Sequence, residues 1–133
     1  MIQSAQPTDS VRKPATVLVV EDEVLIRTVL AMELEDAGYE VVEAGTADDA
    51  MRLLADLGAI DLMVTDVKMP GTMTGLDLAS LVRQRRLSGK IIVMSGYVHE
   101  EVAASAAAFD AFVRKPFKPV DVSELVGSLL ADG

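Results

Sequence analysis

The chain has no cysteine, which excludes disulfides, thiolate zinc sites and a cysteine nucleophile. It has one histidine, His99, too few for a His-rich metal site or a dimetal centre. It lacks a long apolar run: the longest candidate, Val102 to Val113, is broken by Ser105 and Asp110 and falls short of the roughly 18 residues a membrane helix needs. It lacks basic charge as well. Twelve Lys and Arg stand against 21 Asp and Glu, a net charge of −9, so direct nucleic-acid binding is not expected. There is no signal-peptide core, because Met1 to Pro14 is polar with scattered charge, and there is no P-loop. What is present is 133 residues, half hydrophobic and a quarter charged, a globular composition for one domain with its own core. These features together predict a cytoplasmic domain with no membrane insertion.

Residues 1–15 have no hydrophobic period and read as a disordered tail, followed by one domain over 16–133. Thr16 to Val20 is a continuous apolar, β-branched run, the pattern of a strand buried on both faces of a parallel sheet. It ends at Glu21-Asp22-Glu23. Ile26, Val29, Leu30, Leu34 and Ala37 then recur at helical spacing until Gly38. The alternation repeats. Tyr39 to Ala44 predicts a strand, and Thr46 to Asp56 a helix capped by Thr46 and Asp49. Ile60 to Thr65 predicts a strand ending at Asp66, and Leu76, Leu78, Ala79, Leu81 and Val82 mark a third helix. Ile91 to Met94 reads as a strand ending at Ser95, His99 to Ala107 as a weak alanine-rich helix, and Asp110 to Arg114 as a strand ending at Lys115. Pro119 opens a last helix with the stripe Val122, Leu125, Val126 and Leu129. Five such units predict a doubly wound α/β fold with a five-stranded parallel sheet.

Right-handed crossovers put every strand's carboxyl end on one edge, where ligands bind in such sheets. Glu21, Asp22, Asp66, Ser95 and Lys115 should therefore meet there. Three ionised carboxylates about 4 Å apart repel by about 4 kcal/mol per pair at an effective dielectric near 20. A hard divalent cation relieves that repulsion, and an all-oxygen donor set favours Mg2+ over zinc. A carboxylate can also take up a phosphoryl group, provided that a metal and a lysine neutralise the equatorial oxygens.

The segments Val19-Val20-Glu21-Asp22-Glu23, Thr65 to Gly71, Met94-Ser95-Gly96-Tyr97 and Val113-Arg114-Lys115-Pro116-Phe117 resemble the four signatures of bacterial response-regulator receiver domains, over about residues 16 to 131. The resemblance implies a flavodoxin-like sheet of order 2-1-3-4-5. It implies Asp66 as phosphoacceptor, Asp22 as direct Mg2+ ligand and Glu21 as a ligand partly through water. The Lys68 backbone carbonyl would complete the metal site. Ser95 corresponds to the hydroxyl residue of the switch, Lys115 to the lysine that pairs first with the acceptor carboxylate and then with the phosphoryl group, and Phe112 to the aromatic switch residue. Lys115-Pro116 corresponds to the family's cis peptide. The implied partners are a sensor histidine kinase or a histidine phosphotransfer protein, and a downstream protein effector. Catalysis would be confined to the chain's own phosphorylation and dephosphorylation.

Some positions depart from the family pattern. Glu21 stands where Asp is more usual, and Phe112 has no hydroxyl, so a switch there works by burial alone. The loop Pro70 to Gly75 is one residue longer than the common form, similar to receivers that serve hybrid kinases, and Gly71 and Gly75 read as turn residues. Taken singly, Asp22 suits a helix cap, Asp66 a turn, Ser95 a loop and Lys115 a solvated surface. Tyr97 and His99 read as ordinary surface and helix-start residues. Val24, Leu25, Ile26 and Met32 lie beside the acidic edge and are either overflow packing or a docking patch for a kinase or phosphotransfer bundle. Two other readings remain at this point. A small Mg2+-dependent phosphatase with an aspartyl nucleophile would want a second Asp where Lys68 stands, and a flavodoxin-like cofactor binder would want a Ser/Thr/Gly loop after the first strand. A stand-alone phosphate sink in a phosphorelay is a variant of the main reading.

Overall fold

The computed structural model describes residues 13–96 and 100–132. Most of the expected tail, together with Tyr97 and His99, lies outside the described residues. Five strands, β1 (Thr16–Val20), β2 (Glu40–Ala44), β3 (Ile60–Asp66), β4 (Ser88–Ser95) and β5 (Ala111–Arg114), form one sheet in the order β2-β1-β3-β4-β5. Every pairing is parallel. Between and after them run α1 (Val24–Asp36), α2 (Ala47–Leu57), α3 (Gly75–Gln84), the short α4 (Glu100–Ala104) with a 3-10 turn at Ala106–Ala108, and α5 (Pro119–Asp132).

The continuous apolar runs are explained by two buried faces. Alternate residues of a strand point to opposite sides. Leu18, Val20, Met63, Ile91 and Val93 therefore pack with Ala47, Ala50 and Leu54 of α2 and Leu78, Ala79 and Val82 of α3. Val17, Val19, Leu62, Val64, Ile92 and Met94 pack with Leu30 and Leu34 of α1 and Val122 and Val126 of α5. The result is a three-layer sandwich with the polar strand ends gathered at one edge. Among the described residues no helix is long and apolar enough to cross a membrane.

Several boundaries differ from the sequence expectation for local reasons. Strand β4 begins at Ser88, because the polar Ser-Gly-Lys stretch pairs with β3 through Ile60↔Ser88 and Leu62↔Lys90. Tyr39 precedes β2, and Asp110 precedes β5 in a structural role of its own. Its backbone N–H donates to the Ile91 carbonyl (2.8 Å), while its carboxylate accepts from Ile91 N–H (2.8 Å) and from the Arg83 guanidinium (2.8 Å). The alanine-rich helix shortens to Glu100–Ala104 plus the 3-10 turn, with Val102 and Ala108 supplying its buried apolar anchors. Val29, expected in the core, is 42% exposed, and Ala31 takes the inward position. Helix α2 starts as expected, with Thr46 Oγ1 accepting from Asp49 N–H (3.0 Å). Helix α3 carries a full capping box, Thr74 with Asp77, that the sequence reading passed over.

Gly75 is the first residue of α3 rather than a turn glycine. A Cβ there would overlap the Asp66 carbonyl, and its N–H donates to the Val67 carbonyl (2.8 Å). Gly71, with φ +113°, is the turn glycine of this loop.

Candidate functional site

Glu21 directly follows β1, and its N–H donates to the Ala44 carbonyl (3.0 Å), so the first acidic residue is fixed to β2 before α1 begins. Strand β3 delivers Asp66 one residue deeper than its apolar run, and the Thr65 hydroxyl donates to the Asp66 carbonyl (3.0 Å). One carboxylate oxygen from each of Glu21, Asp22 and Asp66 lies within 4.8 Å of the others. Glu21 is fully buried, Asp66 is buried and Asp22 is exposed at the mouth. Asp22 thus stands at the open side of the cluster, while the other two form its floor.

Lys115 follows β5 and reaches into this cluster. Its Nζ donates to Glu21 Oε1 at 2.8 Å and stands 3.2 Å from Asp66 Oδ2. The family resemblance anticipated the contact with Asp66; the shorter bond, to Glu21, was not foreseen. It follows from the longer side chain of Glu21, whose other oxygen accepts the Glu23 N–H (3.0 Å). Burial pushes the carboxyls of Asp66 and Glu21 above their ordinary values, and Lys115 only partly offsets this. Burial works against the Lys115 ammonium, yet its bond to Glu21 and the charge of Asp66 outweigh it and raise the lysine above its ordinary value. A cluster that holds excess negative charge at such a cost has the electrostatics of a cation site, and its donors are all hard oxygens.

The remaining predicted residues surround this centre. Ser95 is buried at the end of β4, one residue beyond the Asp66↔Met94 pair, and its carbonyl accepts the Lys115 N–H (2.8 Å). Lys68 is exposed on the loop after Asp66. Phe112 is half-buried, paired across the sheet with Val93 and packed on the cluster that contains Val102. The Lys115-Pro116 bond is cis. Leu25 and Ile26, with Val29, Pro116, Phe117 and Pro119, line an apolar groove of about 420 Å³ beside Lys115. Val24 and Met32 are exposed near it without lining it.

One participant escaped the sequence reading. Arg27, on the first turns of α1, donates from Nη1 to the Glu21 carbonyl (2.9 Å) and from Nε to Glu43 Oε1 (3.2 Å). Its position six residues after Glu21 is the only sequence signal, and that spacing by itself reads as a solvated helix charge.

A doubly wound sheet of order 2-1-3-4-5 thus gathers a lysine-bridged acidic cluster at its carboxyl edge, where ligands bind in such sheets. The model of the response regulator receiver domain matches residues 17–127, and the chain belongs to that family. It is 44% identical over 112 residues to the DNA-binding transcriptional regulator NtrC of Azospirillum brasilense, a match covering 84% of this chain and 23% of NtrC. It is 38% identical over 119 residues to the transcriptional regulatory protein PdtaR of Mycobacterium tuberculosis, covering 87% of this chain and 55% of PdtaR. The chain therefore spans between about a quarter and about half of these relatives. Among solved structures, the response regulator TrrA of Thermotoga maritima in complex with Mg2+-BeF superposes with a TM-score of 0.76 at 34% identity, covering 86% of this chain and 98% of that one.

Proposed function

We propose that Asp66 accepts a phosphoryl group from the phosphohistidine of a sensor kinase or a histidine phosphotransfer protein. The observation that carries this reading is the Lys115 ammonium 3.2 Å from Asp66 Oδ2, inside a cluster of three carboxylates. Glu21, Asp22, Asp66 and the Lys68 carbonyl are the residues that would hold Mg2+, a fit supported by their all-oxygen donor set and by the Mg2+-BeF complex of TrrA. The ion supplies charge neutralisation for the transferring phosphoryl oxygens. An Asp66 oxygen attacks phosphorus in line, the P–N bond breaks and the imidazole takes back a proton. Lys115 then pairs with one phosphoryl oxygen and the Ser95 hydroxyl hydrogen-bonds another.

The signal leaves through the side of the molecule formed by α4, β5 and α5. Movement of Ser95 toward the phosphoryl group opens space behind β4, and Phe112, with no hydroxyl to keep in water, turns inward. The short α4 with few apolar anchors has a low opening free energy. The apolar groove beside Lys115, with exposed Val24, receives the donor's helical bundle. A downstream protein reads the altered face by contact.

Intact-mass measurement after incubation with Mg2+ and acetyl phosphate tests this. One added phosphoryl group is expected, lost in Asp66→Asn. Equal labelling of both proteins would sink the assignment.

A further inference from the structure

The turn between β1 and α1 carries two of the three carboxylates, and its N-cap residue, Glu23, makes no side-chain capping bond of its own, its N–H donating instead to Glu21 Oε2 (3.0 Å). The Glu21 N–H is held by the Ala44 carbonyl (3.0 Å), and Arg27 adds a tie to the other side of the same turn. Its guanidinium reaches back across the turn to the carbonyl of Glu21 (2.9 Å) and is itself braced by Glu43 on β2 (3.2 Å). The space is tailored to it, because a Cβ at Gly45 would lie 3.3 Å from Nη1. The Arg27 side chain is 20% exposed, so these are bonds of a half-buried group rather than a surface pair averaged away by water.

We infer that Arg27 is a positioning residue for the cation site, acting through the Glu21 carbonyl to hold the Glu21-Asp22 peptide in its ligating arrangement. The inference rests on the Mg2+ reading given above. Geometry and charge make opposite demands at this position, which makes the role testable. A guanidinium bonded to the Glu21 carbonyl, at the edge of the acidic cluster, disfavours a second cation by simple repulsion. If charge were its only influence, removing it would tighten Mg2+ binding. If it positions the ligands, removing it weakens binding, by about tenfold or more, as for other outer-shell partners of metal ligands. Glu43 serves as the control, since it touches Arg27 but not the Glu21 backbone.

Isothermal titration of MgCl2 into the unaltered chain and into Arg27→Met, Arg27→Gln, Arg27→Lys and Glu43→Gln, well below each unfolding midpoint, reads this directly. Arg27→Met and Arg27→Gln should bind about tenfold more weakly. Arg27→Lys, which restores a donor, should recover to within about threefold, and Glu43→Gln should stay within about twofold. A merely structural role would lower the unfolding midpoint and leave the affinity unchanged. Unchanged or tighter binding in Arg27→Met or Arg27→Gln overturns the inference, as does an equal loss in Glu43→Gln. Absence of Mg2+ binding by the unaltered chain would instead overturn the metal reading and this inference together.

Discussion

Replacing Lys115 with Met should expose how much the acidic cluster depends on one cation. Met keeps the apolar stem and removes the ammonium, so the loss is chiefly electrostatic. At an effective dielectric near 20, contacts of 2.8 Å to Glu21 and 3.2 Å to Asp66 correspond to gross attractions of about 6 and about 5 kcal/mol. Most of that offsets the cost of withdrawing the groups from water. What the substitution leaves behind is Glu21, fully buried, with the Glu23 N–H as its remaining side-chain partner among the described residues. Breaking a buried pair from one side costs about 3–5 kcal/mol. Lys115 is 17% exposed, which favours the lower figure, and about 3 kcal/mol lowers the unfolding midpoint by roughly 12 °C in a domain this size.

The sign of the pH dependence follows. The Glu21 carboxyl already sits above its ordinary 4.5 when folded, and losing the lysine raises it further. A carboxyl raised by folding favours the folded state at low pH and loses that contribution as pH rises through its folded value. The deficit of Lys115→Met should thus be largest near pH 8 and shrink toward pH 5. Adding Glu21→Gln should recover much of it, because the orphaned charge is gone. Urea denaturation in EDTA at both pH values measures all of this. A deficit below about 1 kcal/mol, or one independent of pH, would refute the reasoning.

Asp66→Asn should unfold at higher temperature than the unaltered chain in EDTA at pH 8, with the gap closing at lower pH because burial has raised that carboxyl too; a gap that widens on acidification would contradict it. Asp22→Ala, at the exposed mouth, should cost Mg2+ affinity more than tenfold while changing stability by less than about 0.5 kcal/mol, as titration and thermal melting would show. Asp110→Ala should destabilise by about 1–3 kcal/mol, since it strands the buried Ile91 N–H, and Asp110→Asn should cost less because an acceptor remains. Equal losses in those two variants would mean that the Arg83 ion pair, rather than the backbone acceptor, matters there.

The fold was legible because a parallel sheet covered on both faces forces unbroken apolar runs, and Val17 to Val20 or Ile91 to Met94 have few other uses. The floor of the site was legible for the same reason: a charge placed directly after such a run falls at the sheet edge, as Glu21, Asp66 and Lys115 do. Features that depend on side-chain reach were not legible. The Lys115 bond to Glu21, the Arg27 bond to a backbone carbonyl and the Asp110 bond to Ile91 join positions 94, 6 and 19 residues apart, and no pattern of residue types encodes them. The polar start of β4 was hidden because Ser88 to Lys90 joins the ladder through its backbone, which its composition does not advertise. Val29 was misplaced because it shares the helical spacing of the core stripe but faces the groove beside Pro116.

The hydrogen bond from Gly75 to Val67 has an evolutionary corollary. It closes the segment 68–74 at its neck, and the missing Cβ lets α3 press against the peptide of Asp66. The neck fixes β3 and α3 whatever the loop between them does. Doubling the length of such a tethered loop costs only about 0.6 kcal/mol in closure entropy. Insertions between Gly71 and Thr72 can therefore accumulate, or be engineered as a tag or a fluorescent reporter, without shifting Asp66. The outer part of the loop is thus free to diversify while the strand that carries Asp66 stays in place.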